Sequence, residues 1–200
     1  MCGRFENNIR EDWMHEKFAE FNVNFILSSD LSKIKKENIA PTNIIINVQS
    51  ELEKLNAETN SWGIKFAESS PLIFNSRIET IKEKPFWKML FDRNRCIVPM
   101  TAFYEWKKIK TKKVPYRIFL KNEEMFFIPG LFNKDKEGKK YISLITTEPN
   151  EFMKEIHHRM PVILNMEEAV KYLKDESEQN LKKCIPYKNS AQMEMELAEI

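Results

Sequence analysis

The chain has 200 residues, of which 42% are hydrophobic, 12% aromatic and 31% charged. This composition excludes a disordered chain, because such a chain lacks the apolar side chains that a packed core needs. The 32 basic and 30 acidic side chains leave a net charge of +2, so binding of a nucleic acid requires basic residues gathered on one face. Apolar runs are too short to span a membrane, and residues 1–13 lack a signal-like stretch, so we expect a cytoplasmic protein.

The first predicted elements are a helix, a strand and a second helix. Apolar residues with a helical spacing predict a helix over residues 11–21. The β-branched run 44–48 predicts a strand, and residues 72–74 form a second, shorter apolar run of the same kind. Pro85 favours the first turn of a short helix that continues through Phe91.

The middle of the chain predicts antiparallel strands. Asp135 to Lys140 has the composition of a hairpin turn, and Asn165 with Glu168 forms a capping pair that predicts a helix through Lys174. The polar end of the chain is helix-prone. This order predicts a single α+β domain over residues 1–200, with an antiparallel β-barrel-like sheet flanked by helices. The predicted strands are Cys96–Met100, Phe103–Lys107, Tyr116–Leu120, Phe126–Leu131 and Tyr141–Thr147.

Of the three cysteines, Cys2 is the candidate for a chemical role. The chain has three cysteines and no CxxC pair, which disfavours a disulfide framework or a zinc site, and we expect neither a metal nor a cofactor. Removal of Met1 would give Cys2 a free α-amine beside its thiol, with pKa values of about 8 and about 8.5. Such an aminothiol condenses with an aldehyde and closes a five-membered thiazolidine ring. The alternative is that Cys2 is an incidental residue at a mobile terminus.

Three further segments contain candidate functional residues. Glu105 lies in the aromatic run Phe103–Trp106, where burial would tune it for proton transfer, although an outward-facing acid fits the same pattern. His157 is followed by a second histidine and by Arg159, and the arginine would favour an anionic ligand. The alternative is that both histidines simply face solvent. Asn75 is followed by Ser76 and Arg77. The Asn75 amide can hydrogen-bond a sugar hydroxyl, and Arg77 can bind a phosphate. An ordinary polar turn has the same composition.

Together these segments resemble the SOS-response-associated peptidases, also called SRAP or abasic-site-processing proteins. The resemblance covers about residues 1–175, with the blocks in the family order. The blocks are Met1–Phe5, Asn38–Thr42, Trp62-Gly63, Asn75–Thr80, Arg95–Pro99, Phe103–Trp106 and Ile156–Pro161.

The resemblance implies a monomeric protein of the DNA damage response that binds single-stranded DNA containing abasic sites and associates with the nucleoid when bound. Its mature Cys2 would trap the ring-opened sugar as a thiazolidine cross-link. Asn75 would orient the terminus and the sugar, Glu105 would transfer protons, and His157 would act as acid or base and in reversal of the link. The residues that match DNA contacts of the family are Arg4, Arg77 and Arg159 for phosphates and Pro41 and Trp106 for bases.

Other activities stay open at this point. The resemblance leaves room for a lyase activity and for autoproteolytic removal of Met1. The same residue types would also serve a peptidase or amidohydrolase with an amino-terminal cysteine nucleophile, and a non-covalent single-stranded DNA binder is a third alternative. Residues 64–67 and 192–200 depart from the family pattern, which predicts a narrower DNA groove on one side.

Overall fold

The computed structural model describes residues 2–21, 25–27, 34–52 and 54–200, with the backbone alone for 25–27. Met1, which we expect to be removed, lies outside these ranges. The helices are α1 (Glu11–Glu20), α2 (Ile78–Glu83), α3 (Pro85–Arg93), α4 (Glu151–Lys154), α5 (Met166–Lys174) and α6 (Ser177–Lys183). The strands are β1 (Arg4–Glu6), β2 (Phe25–Leu27), β3 (Ile44–Glu51), β4 (Lys54–Trp62), β5 (Asn75–Arg77), β6 (Arg95–Met100), β7 (Ala102–Ile109), β8 (Lys112–Leu120), β9 (Phe126–Lys134), β10 (Lys140–Thr147), β11 (Met160–Pro161) and β12 (Met193–Leu197).

The strands form two sheets, which confirms the predicted α+β class. One sheet has the order β1-β7-β8-β12, and the other has the order β11-β10-β9-β6-β3-β4-β2, with β5 added beside β10. Two residue pairs join β10 to β4 in parallel, so the larger sheet bends until these two strands meet. It is therefore barrel-like without being a regular closed barrel. Most pairs are antiparallel as predicted, but β2–β4, β4–β10 and β5–β10 are parallel.

Local chemistry explains several element boundaries. Pro85 is the first residue of α3, where its missing N–H costs no hydrogen bond. The predicted cap of α5 is confirmed as a complete capping box, with the Asn165 side chain accepting from the Glu168 N–H and the Glu168 carboxylate accepting from the Asn165 N–H. The turn after β9 is also confirmed, because Lys134 and Lys140 pair across it.

Two expectations at strand level are wrong. Within the predicted strand Leu72–Phe74, Ile73 makes only an isolated bridge to Ile64, and the strand is instead Asn75–Arg77, because β10 supplies its hydrogen-bonding edge there. The end of the chain is helical only in α6 and in one short 3-10 turn, Ser190–Gln192. Residues 193–197 alternate Met or Leu with Glu, and this period of two suits an edge strand against β8.

The buried apolar side chains of the described residues form two clusters. One lies under α1, α3 and α5 and includes Phe18, Leu90 and Leu173. The other includes Cys2, Phe5 and Trp62 and reaches the end of β11. None of the helices in the described ranges is long and apolar enough to cross a bilayer.

Candidate active site beside the amino terminus

The amino-terminal segment is held as a strand inside the fold. β1 pairs with β7, with Arg4 opposite Tyr104, and on its other side Phe5 exchanges two backbone hydrogen bonds with Ile39. The Phe5 ring is fully buried and meets Trp62 edge-to-face with ring centroids 5.1 Å apart. Residues 4–6 are therefore a fixed part of the structure, unlike an ordinary frayed terminus.

Cys2 lies at the base of the site and is only 1% exposed. Its thiol donates weakly to the Arg4 carbonyl (3.6 Å), and its own carbonyl accepts a hydrogen bond from Asn75 Nδ2 at 2.9 Å. Burial raises the pKa of the Cys2 thiol well above its usual range, and the negative charge of Glu105 raises it further. The thiol is therefore protonated at neutral pH.

Asn75 reaches Cys2 because two interactions fix the start of β5. Leu144 of β10 pairs with Asn75, and the Trp62 indole N–H donates to the Phe74 carbonyl at 2.9 Å. Gly63, with φ +122°, lets the chain turn directly after Trp62; a Cβ there would lie 2.6 Å from the Leu72 side chain. The Trp62-Gly63 pair is thus a structural support for Asn75.

Asn75 Oδ1 is the second notable atom of this side chain. It is buried and has no hydrogen-bond partner among the described residues. A buried amide oxygen without a donor costs free energy. The position suits an added N–H or O–H from a ligand or from a processed terminus.

Glu105 and His157 come together on the wall next to Cys2. Glu105 is 3% exposed, and its Oε1 lies 3.9 Å from His157 Nδ1. Burial lowers the pKa of His157 below 6.5, although the Glu105 charge opposes this, so His157 is neutral at pH 7. The backbone of Arg159 offers Nδ1 a donor N–H at 3.0 Å and an acceptor carbonyl at 3.1 Å. Either neutral tautomer finds a partner there, which suits a group that takes up and releases a proton.

The segment that carries His157 is fastened by Arg159. The Arg159 guanidinium is buried and donates to both carboxylate oxygens of Glu79 at 2.9 and 3.0 Å, and also to the Thr146 carbonyl at 2.9 Å. Bidentate pairs of this kind fix orientation well. Arg159 is predicted as a phosphate contact, but its Nη1 and Nη2 already donate to protein oxygens.

A groove of about 810 Å³ opens in front of Glu105 and His157. The exposed His158 ring lies against the His157 ring with centroids 4.2 Å apart. Trp106, predicted as a base contact, forms part of the groove wall. The lining residues are Glu105, Trp106, Lys108, Lys113, Pro149, Lys154, Ile156, His157 and His158.

The remaining predicted DNA contacts lie at different depths. Arg77 is exposed at the end of β5, and Pro41 is half-buried. Arg4 is half-buried, and its Nη1 donates to the Asn38 side chain. Asn38 has a φ of +46°, a left-handed conformation that asparagine tolerates better than most residues.

Sequence reasoning missed two sets of residues at the site. The groove lysines Lys108 and Lys113 belong to a lysine-rich run whose composition was visible but unassigned. Glu6, on β1, accepts hydrogen bonds from Thr101 Oγ1 (2.8 Å), Tyr104 Oη (3.0 Å) and Arg117 (3.0 Å from Nε and 2.5 Å from Nη2). No sequence signal identifies that cluster, because its members come from β1, β7, β8 and the residue between β6 and β7.

Comparison with known proteins places these features in a family. A protein-family model described as SOS response associated peptidase (SRAP) matches residues 1–200. The abasic site processing protein YoaM of Bacillus subtilis is 35% identical over 177 residues, covering 82% of this chain and 75% of that protein. The abasic site processing protein YedK of Escherichia coli is 27% identical over 183 residues, covering 88% and 81%. A crystal structure of a protein from Bacteroides thetaiotaomicron has the same fold, with a TM-score of 0.82 at 24% identity over 99% of this chain and 92% of that one. The chain therefore belongs to the SOS response associated peptidase (SRAP) family.

Proposed function

We propose that this protein processes abasic sites, and that it does so by covalent capture of the ring-opened sugar in single-stranded DNA through mature Cys2. The proposal rests on the names of the relatives and on one observation about the site. Cys2, held by Asn75 at 2.9 Å, adjoins a wall formed by Glu105 and His157 that faces a groove with lysines. Once Met1 is removed, an aminothiol, proton-transfer groups and cations for phosphate would be available together.

The order of bond formation follows from the state of Cys2. After Met1 is removed, the α-amine attacks the sugar aldehyde and one water leaves, giving an imine. The thiol then adds to the imine carbon; its sulfur forms the new bond and its proton passes to the nitrogen. The amine acts first because burial keeps the thiol protonated. Ring closure is fast because the thiol is attached to the same residue.

The other side chains take roles that match their surroundings. Glu105 transfers protons during opening of the sugar ring and departure of water. Neutral His157 relays the thiol proton and assists reversal of the link. The unpartnered Oδ1 of Asn75 accepts from the new α-amine or from a sugar hydroxyl.

Binding of the strand is assigned to the exposed Arg77, the half-buried Arg4 and two half-buried rings. Arg4 and Arg77 contact phosphates, and Pro41 and Trp106 pack against bases near the lesion. Arg159 remains a predicted phosphate contact, which would have to compete with Glu79 for its guanidinium.

The test combines a denaturing gel with intact mass spectrometry. Matured protein mixed with a single-stranded abasic oligonucleotide is expected to give a heat-stable adduct whose mass equals protein plus DNA minus one water. Cys2→Ala should abolish it, and one extra residue before Cys2 should prevent thiazolidine formation although the thiol is intact. An equally abundant adduct with Cys2→Ala contradicts the proposal.

The same experiment distinguishes the other activities. Equal non-covalent affinity for intact and abasic strands, without an adduct, identifies a simple single-strand binder. Release of a cleaved strand identifies a lyase. If Met1 is retained in Cys2→Ala and removed from the wild type, the chain removes its own methionine; if it is removed from both, a host aminopeptidase does so.

A further inference from the structure

The hairpin that joins β7 and β8 concentrates positive charge next to the site. Residues 107–113, which we call the lysine hairpin, contain five lysines and no acidic residue, although the whole chain has a net charge of only +2. Lys110 makes the tight turn with a φ of +55°. The lysine hairpin directly continues the strand that carries Glu105 and Trp106. Its lysines are Lys107, Lys108, Lys110, Lys112 and Lys113.

The strand register puts two of these charges face to face. Lys108 pairs directly with Lys113, and two residues closer to the site Trp106 pairs with Pro115. Because side chains alternate along a strand, both pairs project from the same face of the hairpin. Like charges directly opposite each other oppose strand pairing, so folding alone gives no reason for this arrangement.

Both lysines are exposed and line the groove. Within the described part of the chain, neither makes a salt bridge with a carboxylate. Lys154, which lines the groove from α4, differs because it forms an ion pair with Glu151 at 2.5 Å. Lys108 and Lys113 are therefore the groove lysines that have no carboxylate partner in the described part of the chain.

We propose that the lysine hairpin is a binding site for the phosphates of the unpaired strand that continues from the captured sugar on one side. The identity of the strand rests on the proposed function. From Glu105 to Lys110 the hairpin extends about 16 Å at roughly 3.3 Å per residue, so it meets phosphates beyond the lesion. Lysine acts as a point charge and does not read base edges through a fixed fork, so this contact is independent of sequence.

The test measures affinity for an intact single strand as a function of salt. Fluorescence anisotropy with an oligonucleotide that lacks an abasic site reports binding without cross-linking. Each phosphate contact contributes about 0.7 to the slope of log affinity against log salt. The variant Lys108→Gln/Lys113→Gln should therefore lower the slope by about 1.4. Between 50 and 200 mM salt, the wild type should lose roughly sevenfold more affinity than this variant.

A matched control comes from the other hairpin. Lys134→Gln/Lys136→Gln removes the same charge next to the β9–β10 turn, at the opposite end of β10 from the groove residue Pro149. This control should keep the wild-type slope. Equal slopes for the wild type and Lys108→Gln/Lys113→Gln, or equal loss in both double variants, would overturn the inference.

Abasic strands with a tail on only one side separate the two proposals. The Lys108→Gln/Lys113→Gln variant should lose affinity for one tail polarity and much less for the other, and equal losses contradict a one-sided path. If no adduct forms but the slope on intact DNA falls as expected, the proposed function fails and the hairpin site stands. If the adduct forms and the slopes are equal, the hairpin site fails alone.

Discussion

Glu6→Gln tests whether the buried carboxylate on β1 holds the amino-terminal strand in place. The Glu6 side chain is 6% exposed, whereas that of Arg117 is 27% exposed and also contacts Glu196 at 3.0 Å. The substitution keeps the volume but removes the charge that receives both Arg117 hydrogen bonds. Hydrogen bonds to charged groups contribute about 1.5–3 kcal/mol each. Because Arg117 keeps some water and Glu196, we expect a loss of about 2–3 kcal/mol in the free energy of unfolding.

The assay is urea unfolding at several pH values, with Glu137→Gln in the exposed β9–β10 turn as the control. Burial opposes ionisation of Glu6, but hydrogen bonds from Arg117 and Thr101 outweigh it and hold the pKa below 4.5. A carboxyl with a lowered folded pKa stabilises the protein above its unfolded pKa and loses that effect as pH falls through the folded pKa. The difference in free energy of unfolding between the wild type and Glu6→Gln should therefore be largest at pH 7 and should decrease below about pH 4. A difference in free energy of unfolding below about 0.5 kcal/mol at pH 7 would refute the reasoning.

Two further predictions concern Gly63 and His157. Gly63→Ala should destabilise the protein by about 1–3 kcal/mol in urea unfolding, because φ is +122° and the new Cβ would meet Leu72; a neutral effect would contradict the close packing. Burial lowers the pKa of His157, so the unfolded chain takes up a proton at a higher pH than the folded one. As pH falls below about 6.5, the wild type should lose more stability than His157→Gln; parallel profiles would show that His157 is not held neutral.

The sequence predicted the parts of the fold that depend on local chemistry. The Asn165–Glu168 cap and the Pro85 helix start need only neighbouring residues, so their patterns were sufficient. The strand at Asn75–Arg77 was misplaced because its pairing edge comes from β10, far along the chain. The strand at 193–197 was missed because five alternating residues are a weak signal beside a helix-prone composition.

The candidate site was predictable in its members and less so in its contacts. The ordered motifs predict Cys2, Asn75, Glu105 and His157, which lie around one buried corner of the fold; their roles stay predictions. The pairing of Arg159 with Glu79 was not foreseen, because nothing local links two motifs 80 residues apart. The motifs thus contain both ends of an ion pair whose effect is to fix the His157 segment.

β10 has a consequence for tolerance to mutation. This strand supplies no proposed catalytic group, yet Leu144 pairs with Asn75 and Thr146 pairs with Pro161, just past the His157 segment. One strand therefore sets the position of two parts of the site that are distant in sequence. A shift of β10 by one residue would displace both parts together. In an engineered version of this fold, the backbone register of β10 should be kept unchanged, as should the side chains that perform the chemistry.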